Sequence, residues 1–310
     1  MKLRNVFSAG IVCLLAGMLT STSLYSQVAY AVGGTSTLDT LSGQIVKTAD
    51  GGVTWDLLTG IDSTFFYALH FSNTDVGYVV GYNSTIIKTS DGGQTWTEQY
   101  TGLPRSILRD VHFYDEMIGA AVGSTGRIIV TEDGGQTWTE RSLGVSFNVS
   151  FVYWINDTTA YIGTDPTAGL VYKTTNRGAT WQVDPTFAPA RYTLCNFISA
   201  DIGYIWGFFP ESSGNLLYLY KTVDEGQTWF DTNLDVDFLS RIQDIDFVSG
   251  DSVGYFKAFN IWNRQFYKTT DGGQSWQPQT QLPFEIQDFE FYNGTDVLAF
   301  APDNHHNNKF

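Results

Sequence analysis

A nine-residue phrase governs what this chain can fold into. Residues 88–96 read KTSDGGQTW, and close variants end at Trp55 (KTADGGVTW), Trp138 (VTEDGGQTW), Trp181 (KTTNRGATW), Trp229 (KTVDEGQTW) and Trp276 (KTTDGGQSW). Successive tryptophans stand 41, 42, 43, 48 and 47 residues apart. An interval of that size is one supersecondary unit. It is too small to bury both of its faces alone, so the copies must pack on one another.

Residues 64–99 show what a unit holds. FFYALHF and GYVVG are aromatic and β-branched, STIIKT alternates, and QTWTEQ follows the Asp-Gly-Gly turn. Each segment has the length and composition of a strand, turn residues separate them, and none sustains a 3.6-residue period. The same four-part unit recurs at 106–141, 146–183, 190–231 and 240–278. Four antiparallel strands per unit, each face covering its neighbour's, predict an all-β fold: a single β-propeller of four-stranded antiparallel blades.

The repeated phrase then reads as a staple between the third and fourth strands. Asp91 is placed to accept hydrogen bonds from turn amides and a threonine hydroxyl, Gly93 supplies a backbone angle other residues resist, and Trp96 buries its ring between blades. The structural pairs are Asp50 and Trp55, Asp91 and Trp96, Asp133 and Trp138, Asn176 and Trp181, Asp224 and Trp229, and Asp271 and Trp276. Asn176 stands where the others have aspartate, and an amide oxygen can still accept from backbone N–H groups. An acid bonded within its own turn is not free to do chemistry, so these residues are assigned no catalytic role.

The two ends of the chain decide the number of blades. The first copy supplies a third strand at 43–48 and a fourth at 53–58, and the stretch EIQDFEFYNGTDVLAFAP (285–302) supplies a first and a second. Joined, they predict six blades closed by a clasp of N- and C-terminal strands. The alternative takes QVAYAVGG (27–34) as a second strand, like DVGYVVGY, and makes 285–310 the start of an incomplete seventh blade.

Lys2 and Arg4, followed by the apolar run Val6–Leu19, read as an export signal too short to span a bilayer comfortably. Ala29-Tyr30-Ala31 is the best small-x-small cleavage site, and Ser21-Thr22-Ser23 lies nearer the apolar run. Residues 1–31 are therefore assigned as signal, 32–302 as propeller and 303–310 as a polar tail, and the protein is expected to be secreted or periplasmic. No later run is suited to crossing a membrane. Cys13 leaves with the signal, so Cys195 forms no internal disulfide and reads as a buried, inert thiol. The formal net charge of −15 repels phosphate backbones and argues against nucleic acid as a partner.

These turns resemble Asp-boxes, also called bacterial neuraminidase repeats. The sub-pattern GYVVG…IIKTSDGGQTW is similar to the photosystem II stability/assembly factor-like propellers, over residues 43 to about 302. That resemblance implies an exported propeller, seven blades, and an arginine-rich surface used in assembly. Asp-boxes also occur in sialidases, xyloglucan-cleaving glycosidases and sortilin-like receptors, so the motif specifies fold rather than function. A sialidase resemblance would require an arginine triad, a tyrosine–glutamate pair, an aspartate acid/base and an Arg-Ile-Pro motif before the first box. That motif is missing, and no arginine occurs between Arg4 and Arg105. The xyloglucan-cleaving relatives use two tandem propellers, which a chain of 310 residues is too short to form. No catalytic residue, cofactor or metal is expected. His70 and His112 occupy matching positions in first strands and read as structural or exposed strand residues, and His305-His306 belongs to the solvated tail.

In a propeller, the loops joining strands two and three and those linking one blade to the next share a face, opposite the box turns. Arg105, Arg109, Arg191, Arg241 and Arg264 fall at or near that loop face, with Tyr100, Phe208 and Trp262 as aromatic companions. The lysines instead precede the boxes, as Lys47, Lys88, Lys173, Lys221 and Lys268 do. Arginine's flat fork with aromatics is the composition of interface hot spots. The expected function is a non-enzymatic, monomeric scaffold binding a protein or another extracellular ligand. The alternative is a carbohydrate-binding or divergent sialidase- or glycosidase-like protein whose partner is a glycan.

Overall fold

The computed structural model describes residues 12–14, 29–36, 41–48, 56–62, 64–99, 105–141, 143–165, 168–197, 199–211, 214–232, 241–247, 254–259, 264–273, 275–279, 288–292 and 296–300. Among them the chain is all strand and turn, with two short 3-10 turns at Tyr82–Ser84 and Ser124–Gly126. It divides into two compact units, Met1–Cys195 and Asn196–Phe310.

The N-terminal unit holds four antiparallel sheets of four strands, each in chain order from one edge to the other. The first is Val12–Leu14, Ala29–Ser36, Leu41–Thr48 and Asp56–Asp62, and the second is Phe66–Phe71, Gly77–Gly81, Ile86–Thr89 and Thr97–Glu98. The third is Leu108–Phe113, Gly119–Gly123, Ile128–Thr131 and Thr139–Glu140, and the fourth is Val149–Trp154, Ala160–Thr164, Val171–Thr174 and Gln182–Val183. Arg191–Phe197, Gly203–Glu211, Gly214–Thr222 and Phe230–Asp231 form the fifth sheet, and the boundary between the units falls in its first strand. The C-terminal unit continues with a sixth sheet of Arg241–Phe247, Gly254–Phe259, Arg264–Thr269 and Gln277–Gln279. Asp288–Tyr292 and Asp296–Phe300 pair with each other as a separate two-stranded sheet.

The ends of the chain pair differently from the six-blade clasp. Ala29–Ser36 lies alongside Leu41–Thr48 in the position of a second strand, with Tyr30 opposite Lys47. The C-terminal hairpin therefore does not occupy that edge, and the pairing is the one the seven-blade alternative describes. The physical reason is the alternation in AYAVGG, where Tyr30 and Val32 point inward and are buried.

Burial follows from sheets stacking face to face. In the N-terminal unit, Tyr30, Val32 and Ile45 of the first sheet pack on Phe66, Leu69, Phe71, Val79 and Ile87 of the second. The second packs on the third through Tyr78, Val80, Ile86, Val111, Phe113 and Ile129. The third packs on the fourth through Ala120, Val122, Ile128, Val152, Trp154 and Ile162. The second strands GYVVG and GAAVG are buried along their whole length, as expected for strands flanked on both edges and covered on both faces.

The box turns supply the staples. Asp91 accepts from Thr95 N–H at 2.8 Å and Thr95 Oγ1–H at 2.6 Å, and from Thr89 Oγ1–H at 2.8 Å, while Thr89 Oγ1 accepts from Gly93 N–H. Asp133, Asp224 and Asp271 repeat this set. Asn176 reproduces it with an amide: its oxygen accepts from Thr180 N–H and its Nδ2 donates to Thr180 Oγ1, both at 2.9 Å. Gly135 shows why glycine follows, since its φ is +81° and a Cβ there would lie 3.2 Å from the Tyr78 ring. Trp96 and Trp181 lie half-buried beside the clusters that join neighbouring sheets, and Trp138 is buried in one of them. Asp50 and Trp55 lie outside the described residues.

A second repeated device locks sheet to sheet. A second-strand tyrosine stands directly across from a third-strand lysine: Tyr30 and Lys47, Tyr78 and Lys88, Tyr161 and Lys173, Tyr204 and Lys221, Tyr255 and Lys268. In the first four pairs the ammonium sits over the ring. Tyr78 Oη and Lys88 Nζ both donate to Gly134 O of the next sheet's box, at 2.9 and 2.8 Å. Tyr30 and Lys47 do the same to Gly92 O, and Tyr204 and Lys221 to Gly272 O. Lys47, Lys88 and Lys221 therefore each clamp the neighbouring box.

Candidate functional site

The connections sort onto two ends of each sheet. At one end, box turns meet the loops between first and second strands: Gly92 N–H donates to Asp75 O, Gly134 N–H to Met117 O, and Arg177 N–H to Thr158 O. At the other, turns between second and third strands interlock with the segments entering the next first strand. Ser84 N–H donates to Ser106 O and Gly126 N–H to Phe147 O, while Ser124 N–H donates to Ile107 O within its own sheet. Loops without the box's fixed chemistry are free to carry function.

Arg105 and Arg109 lie at this second end, on the segment entering Leu108–Phe113. Arg105 is exposed and Arg109 half-buried. Arg109 also sits at a register shift: Leu108 pairs with Gly123 and Asp110 with Val122, leaving Arg109 unpaired in the ladder. The same shift leaves Tyr67, Ser150 and Gln243 unpaired at the equivalent place in their own first strands. A bulge bends the strand and re-aims the extra side chain, so the repeat presents one variable residue per first strand beside the loops.

The charge partners separate the arginines into two groups. Arg127 pairs with Glu140 at 3.5 Å, and Arg177 pairs with Asp157 at 2.9 Å and Glu132 at 3.8 Å. Arg105 and Arg109 have no acidic partner among the described residues, and Arg109 Nε is buried without a hydrogen bond. Next to Arg109, burial pushes the Asp110 carboxyl up to about 7, although it accepts from Val152 N–H at 2.8 Å.

The remaining arginines open strands at the corresponding end of their own sheets. Arg191 and Arg241 open the first strands of the fifth and sixth sheets, and Arg264 opens the third strand of the sixth, opposite Phe259. Phe208 is not a loop residue: it is buried and pairs with Leu217 inside a long hairpin whose strands run to Glu211 and from Gly214. The alternating run from Gly203 extends the strand past the expected loop start, which turns the ring into the core. Tyr100 and Trp262 lie outside the described residues. Sequence reading missed Tyr82, an exposed aromatic in the turn whose Ser84 bonds Ser106, next to Arg105. Its signal was the YNST turn after GYVVG.

The box carboxylates are held for structure. Hydrogen bonds from the Thr95 hydroxyl and amide and from Thr89 hold Asp91 down at about 2. Asp224 is lowered by the matching bonds from Thr228 and Thr222. Burial raises Asp133, but bonds from Thr137 and Thr131 outweigh it and lower it too. Cys195 is free and buried, and burial raises its thiol far above reactivity at neutral pH. Among the described residues no group of three or more acids, histidines and cysteines is arranged to hold a metal ion.

Four-stranded antiparallel sheets joined by box turns define a protein of the β-propeller class. The family model described as photosynthesis system II assembly factor YCF48 matches residues 53–184 and 101–230, together more than half of the chain, and the chain belongs to that family. None of the curated proteins is a detectable sequence relative. Among solved structures, YCF48 from Cyanidioschyzon merolae is similar at 17% identity, with 98% of each chain covered and a TM-score of 0.64. A structure described as YCF48 bound to D1 peptide is 20% identical, covering 75% of this chain and 88% of that one, at a TM-score of 0.50. The GH74 xyloglucanase from Xanthomonas campestris is 13% identical at a TM-score of 0.63, with 82% of this chain covered but 43% of the enzyme. At these identities the likeness carries the fold.

Proposed function

We propose that the protein is a non-enzymatic, exported scaffold that binds a segment of another protein at the loop end of its third sheet. The observation that carries this reading is the pair Arg105 and Arg109. In a chain of net charge −15, two neighbouring guanidinium groups have no acidic partner among the described residues, one of them at a bulge and with Nε buried and unbonded. An unpaired, partly desolvated guanidinium is an incomplete site that a carboxylate completes. Exposed Tyr82 supplies a flat apolar surface beside it. Family membership and the YCF48 structure bound to a peptide favour a polypeptide ligand.

The test is fluorescence anisotropy with labelled acidic peptides, titrated against the wild type and the Arg105→Glu/Arg109→Glu variant. Binding that weakens at least tenfold in the variant and falls with added salt is expected. Equal binding by both forms would refute the site. The carbohydrate reading rests on shared fold alone, and turnover of xyloglucan oligosaccharides by the purified protein would overturn the proposal.

An N-terminal export signal remains proposed, but we place its end before Tyr30 rather than at residue 31, because the position of cleavage has a structural consequence. Cutting after Ala31 removes Tyr30 and with it one of the two donors to Gly92 O, whereas cutting after Ser23 keeps it. We expect intact-mass measurement of the exported protein to show Tyr30 retained, and a mature chain beginning at Val32 would refute this.

A further inference from the structure

The first strands of the second, third and fourth sheets are edge strands, paired on one side only within their own sheets. Alternate backbone groups on their free edges need partners from elsewhere. Side chains of the preceding first strand supply them. Asp110 Oδ2 accepts from Val152 N–H at 2.8 Å, and His112 Nδ1 accepts from Trp154 N–H at 3.2 Å. His70 Nε2–H donates to Phe113 O at 3.1 Å. These contacts fix tautomers: His112 must be neutral with its proton on Nε2, and His70 must carry a proton on Nε2. The rings stack in a row, His70 to His112 at 4.4 Å and His112 to Tyr153 at 4.2 Å between centroids.

We propose that His70 and His112 make the seam joining these three first strands acid-labile. A proton added to Nδ1 of His112 turns an acceptor into a donor that faces Trp154 N–H, and two stacked imidazolium rings repel. The Trp154 contact therefore survives only with neutral His112, and the His70 contact is disturbed only through the repulsion between two charged rings. Burial holds His70 down at about 4, helped against only by its bond to Phe113 O, and holds His112 well below the ordinary histidine range, with His70 adding to the effect.

The groups facing the pair are few. The pair's own strands carry Tyr67, Arg109 and Asp110. The fourth sheet's first strand contributes Tyr153, and the third sheet's second strand, Gly119–Gly123, contributes no titratable group. Tyr78 and Tyr82 lie on the second-sheet elements packed on Leu108–Phe113, and Tyr78 spends its hydroxyl on Gly134 O. Asp110 works in the opposite direction. Its raised carboxyl favours the closed seam below about 7, so it masks the histidines in any measurement of the wild type as a whole.

The sign is therefore read in an Asp110→Asn background, where the amide oxygen keeps the bond to Val152. A histidine whose folded value is depressed gives stability that is present above about 6.5 and is lost as pH falls toward the folded value. From His70 alone, protection of the Trp154 amide against hydrogen exchange should be about thirtyfold lower at pH 5 than at pH 7.5, and His112 adds to this. Adding His70→Gln and His112→Asn keeps a donor and an acceptor in the same places without a titrating ring, and should flatten the profile. Protection unchanged by pH in the Asp110→Asn protein, or an equal fall in the triple variant, would overturn the proposal. If the triple variant does not fold, imidazole NMR signals in the wild type decide. Rings that resist protonation until Trp154 loses protection support the seam, and two rings titrating near 6.5 with Trp154 unaffected refute it.

Discussion

The clamp on Gly134 can be tested by asking whether its two donors share one acceptor. Tyr78→Phe keeps the buried ring, its stacking on Phe113 at 3.8 Å and its contact with the Lys88 ammonium, and removes only the hydroxyl. One neutral hydrogen bond is worth about 1 kcal/mol net, and the Gly134 carbonyl keeps Lys88 Nζ at 2.8 Å, so the single change should cost about that much. Lys88→Met removes the charged donor from a half-buried position, leaves the tyrosine bond, and should cost about 1 kcal/mol as well. The double variant differs in kind. Gly134 is buried, and its carbonyl would lose both donors, which adds a desolvation cost of about 1–3 kcal/mol. The cycle should therefore show about 1–2 kcal/mol of coupling, with the double variant less stable than the sum of the singles. Equilibrium urea unfolding of the four proteins measures it. Additivity within about 0.5 kcal/mol would mean the two donors do not share a buried acceptor, and the clamp would be refuted. Burial, followed by Glu116, Asp133 and Asp115, raises the Tyr78 hydroxyl, so the donor persists at every pH used in such work.

Two further perturbations bear on the staple and the turn. Asp133→Asn should be nearly neutral at pH 7, because Asn176 already serves the same turn in the fourth sheet, whereas Asp133→Ala should lower stability by about 1–2 kcal/mol in urea unfolding. The carboxylate turns should also be acid-sensitive where the Asn176 turn is not. Asp91 sits low, at about 2, so its bonds are present above about 3.8 and are lost as pH falls through about 2, and the Thr95 amide should lose protection there while Thr180 does not. Gly123→Ala would set a Cβ 1.9 Å from the Ile107 carbonyl, a backbone atom that cannot swing away, and should cost about 3 kcal/mol by thermal unfolding. A loss under 1 kcal/mol would show that the turn shifts freely.

What the sequence disclosed, and what it hid, follows from the range of each interaction. The box is a local object: Thr89, Asp91, Gly93 and Thr95 satisfy one another within seven residues, so their spacing alone implies the turn. The unbroken apolar run of GYVVG likewise reports burial on both faces without knowledge of neighbours. The tyrosine–lysine clamp was hidden because its acceptor lies 45 or more residues away, and nothing in a lysine before a box says which carbonyl it will reach. Phe208 was misplaced because hairpin length is set by cross-strand pairing: Phe208 faces Leu217, and Glu211 still finds Gly214. Arg109 was visible as a charge in a strand, but the bulge that re-aims it depends on register with Gly119–Gly123. Tyr82 looked like strand residue until the positive φ of Asn83 and Ser84 turned the chain there.

The two departures from the repeat occur at one junction, and each accounts for the other. Among the described four-stranded sheets the third lacks the tyrosine–lysine pair, with Ala120 opposite Val130 where the other five have tyrosine opposite lysine. The box it faces alone has Asn176 and Arg177 where others have Asp and mostly Gly. A tyrosine–lysine pair needs a carbonyl within reach, whereas the methyl groups of Val130 lie against Gly178 and leave the Arg177 position without a cationic neighbour among the described residues of the third sheet's second and third strands. Arg177, held at a φ of +58°, then fills the role from the other side, reaching back to Glu132 of the third sheet and to Asp157. Cation and acceptor have changed sides across the same seam. Introducing lysine at Val130 alone would set two cations together, so the clamp can be transferred to this junction only if Arg177 is replaced in the same step. The repeat is therefore conserved in its pairing logic and not residue by residue.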